Sequence, residues 1–145
     1  GPVLYEDQYI QTRGKLAAGP VSFAPGYAQN KKMSKQLDAA LGKAHPGVNL
    51  NTNHVYTFEA LLIAADAYKR AGSADPKALA DAVRQTNIKD NVSIGPGIQF
   101  DAKGQNDKIL GGGIQNRGGK LITVAPKEAA NGKPEWPLKP YDKRV

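Results

Sequence analysis

The sequence has no cysteine. That removes disulfides, thiolate metal sites and a cysteine nucleophile, and it leaves the redox compartment open. No apolar run reaches the roughly 18 residues that a membrane-crossing helix needs. Histidine is scarce, at positions 45 and 54. With no Glu or Asp at ligand spacing, His45 and His54 do not make a zinc site, and His54 reads as a surface residue near a helix cap. Serine occurs at 22, 34, 73 and 93, never in a Gly-x-Ser-x-Gly elbow. Gly111-Gly112-Gly113 lacks the Lys-Ser/Thr of a phosphate loop, so it reads as a bulge or a close backbone contact in a strand. Asp101-x-Lys103-Gly104-x-x-Asp107 places Lys103 where a calcium loop needs an oxygen, and no bidentate Glu follows; a turn is expected. These absences leave no candidate nucleophile, base or paired carboxylates. No catalytic residue, metal or cofactor is expected, and the chain does not read as an enzyme.

What is present suits one domain with a real core: 145 residues of ordinary hydrophobic content, with 16 Gly and 10 Pro to mark turns and strand ends. The opening Gly1-Pro2-Val3-Leu4 lacks an initiating Met and a signal peptide. It reads as the inside of a strand, or for Gly1-Pro2 as a remnant of tag cleavage, so a mature piece or a fragment is expected. The formal charge is +7, which raises a nucleic-acid reading. The basic residues are scattered, however. Lys31-Lys32 with Lys35 and Lys143-Arg144 are the tightest groups, and no aromatics interleave with them. A solvated surface is the simpler reading.

The stretch from Asn51 to Gly72 organises the rest. Val55, Phe58, Leu62 and Ala65 repeat at helical spacing, and Leu61 and Tyr68 widen the stripe. Asn51, Thr52 and Asn53 offer an N-cap, Lys69 and Arg70 suit the negative end of the helix dipole, and Gly72 permits the left-handed stop. Before it, Val3–Tyr5 reads as a strand end, Glu6–Ile10 as a short helix stopped at Gly14, and the stretch Gly19–Pro25 as a strand. A helix capped by Asn30 runs to about Ala44, with Met33, Leu37, Ala40, Leu41 and Ala44 on its apolar face. After it, Asp75-Pro76 starts another helix, with Ala78, Leu79, Ala82 and Val83 inward. The remainder is β in character. Val92–Ile94 and Ile98–Phe100 flank Gly95-Pro96-Gly97. Ile109–Gln115 and Lys120–Val124 flank the hairpin loop at Asn116-Arg117-Gly118-Gly119. From Ala125 the chain is proline-rich, with Trp136 expected as an anchor packed on the body.

Several stretches together resemble the type I periplasmic binding proteins of bacterial ABC transporters, of the leucine/isoleucine/valine type. They are TFEALLIAADAYKRAGSADPKALADAVRQTNI, IGPGIQFDAKGQND, GKLAAGPVSFAP and VAPKEAANGKPEWPLKP. The resemblance covers nearly the whole chain and implies an α/β fold, part of a two-lobed Venus-flytrap architecture that is incomplete here. It implies that residues 1–25 are the end of lobe two with a hinge strand and residues 26–90 a helical segment of lobe one. Residues 91–145 would be a hinge crossing with lobe-two β structure and an irregular tail. The apolar helix would then need the remainder of the protein or a second copy to cover it.

By the resemblance, the chain is the solute-binding component of an ABC importer, or a piece of one. It would be periplasmic, or extracellular and membrane-anchored in a Gram-positive organism. Its partners would be an amino acid or a small organic or aromatic acid, and the membrane permease. The candidate ligand-binding residues are Tyr5, Glu6, Asp7 and Gln8. They follow a strand, and ligands gather outside the carboxyl ends of strands in open α/β sheets. The competing reading of Glu6 and Asp7 is two solvated acids at a helix N-terminus. For Tyr27, lining the cleft competes with packing as a loop aromatic on the surface. Two other functions stay open, a basic nucleic-acid-binding domain and a small α/β enzyme.

Overall fold

The structure, a computed structural model, describes Leu4 and residues 6–143. It is a mixed α/β arrangement of four helices and five strands among the described residues. Helix α1 spans Asp7–Arg13, strand β1 Val21–Pro25, helix α2 Lys32–Ala44, helix α3 Thr52–Ala71 and helix α4 Pro76–Arg84. The short strands β2, Asn87–Ile88, and β3, Ile98–Gln99, precede β4, Gly111–Arg117, and β5, Lys120–Ala125.

Helix ends follow their local chemistry. The Asn51 side chain accepts from the amides of Asn53 at 3.0 Å and His54 at 3.2 Å. His54 Nδ1 in turn accepts from the Asn51 amide at 3.3 Å, a capping box with histidine in the usual Glu position. At the far end Gly72 adopts φ 60°, as expected of an αL stop. Asp75 caps α4 by accepting from the Ala78 amide at 2.9 Å. Helix α2 departs from expectation: its N-cap is Lys31, with no side-chain cap bond. Asn30 lies one residue before that cap, and its amide donates to the Glu128 carbonyl at 3.0 Å. Leu4 falls in a 3-10 turn rather than in the strand expected at 3–5.

β1, β4 and β5 form an antiparallel sheet in that order, with Val21 opposite Gln115 and Pro25 opposite Gly111. β4 and β5 are a hairpin closed by Gly118 and Gly119 at φ 60° and 91°. Both central residues have positive φ, the condition for a turn whose twist matches the strands. The glycine run is explained by close approach. A Cβ on Gly112 would lie 2.5 Å from Ile94 Cδ1, and the β4–β5 register shifts between Gly113 and Ile114. Ile98–Gln99 pairs with Asn87–Ile88, while the segment around Val92–Ile94 forms no regular strand. That segment joins the fold through a bridge from Ser93 to Tyr27.

The core lies around this irregular segment. One cluster gathers Tyr27, Leu50, Val55 and Val92, with Met33, Leu37, Leu41 and Phe58 packed against it. Another gathers Ala28, Ile94 and Ala129. Three expectations fail here. Leu61 and Tyr68 do not join the buried stripe of α3; they are 66% and 57% exposed, and Ala65 is exposed as well. Trp136 is 81% exposed and anchors nothing. Tyr27 is a core residue, not a surface loop aromatic, because its hydroxyl finds a buried acceptor in the Leu50 carbonyl at 2.7 Å. No helix among the described residues is long and apolar enough to cross a membrane.

Candidate functional site

A cavity of about 310 Å³ opens where six separate segments converge. Asp7 comes from the first turn of α1, and Tyr27 and Gln29 from the chain leaving β1. Lys35 and Asp38 come from α2, Asn49 and Leu50 from the loop before α3, and Lys120 and Leu121 from the start of β5. Asn131 closes the rim. The size sits at the small end of small-molecule sites, which run from about 300 to 1,000 Å³.

The floor is fixed before anything binds. The Gln29 amide nitrogen donates to the Leu121 carbonyl at 3.1 Å and to the Tyr27 hydroxyl at 3.3 Å. The Gln29 carbonyl oxygen accepts from the Asn131 amide. Asn131 is itself held by the Thr123 amide, which donates to its side-chain oxygen at 2.9 Å. Burial pushes the Tyr27 phenol above its usual range; the Gln29 hydrogen bond opposes this, and the Asp38 and Asp7 carboxylates add to it. Both carboxylates therefore act on the same hydroxyl at the base of the cavity.

Of the four residues that the sequence nominates, the cavity takes Asp7. Glu6 is half-buried at the N-cap of α1 and makes no side-chain cap bond. Gln8 is exposed and does not line the cavity, and Tyr5 lies outside the described residues. Tyr27, which the sequence offered as a cleft residue or a surface aromatic, lines the cavity as well. Sequence reasoning missed the rest of the lining, because its members come from separate segments that no spacing rule joins.

A second polar set sits behind the site and holds segment 91–95. Glu59, 5% exposed on α3, accepts from the amides of Val92 and Ser93, each at 2.7 Å, and from the Ser93 hydroxyl. From the other side the Lys31 ammonium donates to the carbonyls of Ser93 at 2.8 Å and Gly95 at 2.7 Å and to the Asn91 side chain. Burial lowers the Lys31 pKa, against the opposing pull of Glu59 and Asp90. Lys31 is thus a structural cation and not part of a basic surface patch. The Asp101 loop is a turn, its carboxylate accepting from the amides of Lys103 and Gln105. Among the described residues no His, Cys, Asp or Glu group is arranged to hold a metal.

No protein-family model and no curated protein matches the sequence. Solved structures do match in shape. The leucine-binding protein LivK of Thermotoga maritima superposes with a TM-score of 0.68 at 19% identity, covering 82% of this chain and 33% of that one. A protein of Silicibacter pomeroyi, described as a branched-chain amino acid ABC transporter, superposes with a TM-score of 0.72 at 17% identity, covering 95% of this chain and 39% of that one. The chain carries part of a type I periplasmic-binding-protein fold. It spans 33% and 39% of the length of these two proteins. The cavity lies where α1, α2 and the β4–β5 hairpin approach one another.

Proposed function

We propose that this chain is the solute-binding component of an ABC importer, or a part of one. It binds an amino acid or a small organic acid in the cavity under Asp7 and acts outside the cytoplasmic membrane with a permease as its partner. The observation that carries this reading is the coincidence of the binding-protein fold with a small, pre-organised polar cavity. Binding here needs no covalent chemistry; selectivity comes from desolvated polar contacts and from groups held in place beforehand. Asp7 serves as an acceptor for a ligand ammonium. We assign residues 1–25 to the end of lobe two with a hinge strand, residues 26–90 to a helical segment of lobe one, and residues 91–145 to a hinge crossing with lobe-two β structure; the pairing of β1 with β4 supports grouping the first and last of these.

Isothermal titration calorimetry of the chain against amino acids and short organic acids tests this. Saturable binding of at least one is expected, weakened about tenfold or more by Asp7→Asn. Affinity for DNA or RNA that falls steeply with salt, without binding of any small acid, contradicts it and favours the nucleic-acid reading.

A further inference from the structure

We propose that the cleft between the β4–β5 hairpin and the tail is a second binding site, for a planar aromatic ring joined to a phosphate monoester. Its volume is about 730 Å³, well within the range of small-molecule sites, and it shares no lining residue with the cavity under Asp7. The inference therefore stands apart from the solute-binding reading.

The mounting of Trp136 supplies the first argument. Gln115, fully buried in β4, donates to the Glu135 carbonyl at 3.2 Å and accepts from the Glu135 amide at 2.9 Å. Arg117 donates to the Lys133 carbonyl and, at 3.2 Å, to Gln115 Oε1. The tail is thus fixed to the sheet at the residue next to Trp136. Yet the indole is 81% exposed and lines the cleft. An aromatic side chain whose backbone is already tied down offers a stacking face to a ligand at little further cost in chain entropy. Pro134 and Leu138 extend the apolar wall beside it.

Charge supplies the second argument. Arg117, Lys139 and Lys143 line the cleft against one carboxylate, Glu135, whose oxygen lies 3.3 Å from Arg117 Nε. An indole face by itself attracts cations, but this excess of positive charge in the lining rejects them. The excess matches a phosphate monoester, which carries about two negative charges at neutral pH and several strong acceptor oxygens. A carboxylate brings half that charge. Lysine serves a phosphate as a point charge, and an exposed aromatic side chain stacks on a base or phenyl ring. The two halves of the lining, apolar ring and cations, therefore call for a ligand that has both parts.

Trp136 is the single tryptophan of the chain, so tryptophan fluorescence reports this cleft directly. The test is a fluorescence titration of the 145-residue chain with adenosine monophosphate, phenyl phosphate, adenosine and ribose phosphate. Adenosine monophosphate is expected to quench saturably and to bind about tenfold or more tighter than either adenosine or ribose phosphate, each of which lacks one half of the ligand. Phenyl phosphate separates the sources of the chemistry: affinity equal to that of adenosine monophosphate identifies a simple aryl phosphate, and weaker binding identifies a nucleotide. Replacing both exposed lysines, Lys139→Met with Lys143→Met, is expected to weaken adenosine monophosphate about tenfold or more, with circular dichroism establishing that the fold is kept. No saturable quenching by either phosphate, adenosine binding as tightly as its monophosphate, or an unchanged affinity in the double variant overturns the inference. So does a short single-stranded oligodeoxyadenylate that binds about a hundredfold tighter than adenosine monophosphate, which assigns the cleft to nucleic acid.

Discussion

Along one side α3 meets the rest of the chain at Val55, Glu59 and Ala67, while on the other it turns Leu61 and Tyr68 to solvent. The buried side thus contains a carboxylate and the open side a leucine. Counting apolar residues puts the stripe about one residue, or roughly 100°, away from where the structure buries it. The difference lies in what each side has to meet. Segment 91–95 passes under α3 without regular strand pairing, so its amides at Val92 and Ser93 need an acceptor, and Glu59 supplies it. Lys31 then supplies donors for the carbonyls of Ser93 and Gly95. On the open side no strand or loop among the described residues covers Leu61, which forgoes much of the roughly 1.5–3 kcal/mol that full burial of such a side chain gives. Phe23, 74% exposed on the edge strand β1, is in the same position.

The contrast between the two sides sets the size of the expected effects. Glu59→Ala should cost most, about 3–5 kcal/mol by urea denaturation. It leaves two buried amides and a hydroxyl unpaired and removes the counter-charge of Lys31. A loss below about 1 kcal/mol would mean that segment 91–95 is held by packing alone. Leu61→Lys combined with Tyr68→Lys should cost little, within about 0.5 kcal/mol per site, because both side chains are already in water. A loss of several kcal/mol would show that this side of α3 is covered in solution, and sedimentation would then tell whether by a second copy.

The smallest effect is the alkaline response of Tyr27→Phe. The Tyr27 phenol is raised in the folded chain, first by burial and further by Asp38 and Asp7. Above pH ~10 the unfolded chain gives up this proton while the folded chain keeps it, so the folded state holds more protons and stability falls as pH rises. The contribution is complete below the unfolded pKa and is lost as pH climbs through the folded one. Lys31, lowered by burial, acts in the opposite sense in the same range. Thermal melts from pH 8 to 11 should therefore fall less steeply for Tyr27→Phe than for the parent chain. Equal slopes would show that the phenol does not titrate with unfolding.

Much of the fold was legible because it is written locally. Asn51 and Gly72 mark the ends of α3, Asp75-Pro76 opens α4, and Gly118-Gly119 closes the hairpin, each through backbone chemistry of a few residues. What lay hidden is non-local. That Glu59 points inward depends on an unpaired segment more than thirty positions away. Tyr27 is buried because Leu50 offers it a carbonyl. At Trp136 the tail is tied down by its neighbour instead: Gln115 donates to the Glu135 carbonyl and accepts from its amide, and the indole beside it stays exposed. Asp7 was nominated behind a strand that the structure replaces with a 3-10 turn at Leu4, and it lines the cavity from α1; Lys35, Asp38 and Lys120 reach the cavity only through the folding of α2 and the hairpin.

The most direct test of the solute-binding account is to locate the bound ligand by NMR, titrating the isotope-labelled chain with amino acids and short organic acids and following backbone amides. Shifts concentrated at Asp7, Tyr27 to Gln29, Lys35, Asn49 to Leu50 and Gly119 to Leu121, with Lys103 and Gly104 unmoved, are the predicted result. Saturable shifts confined to another surface, or no shifts with any small amino or organic acid, would contradict it.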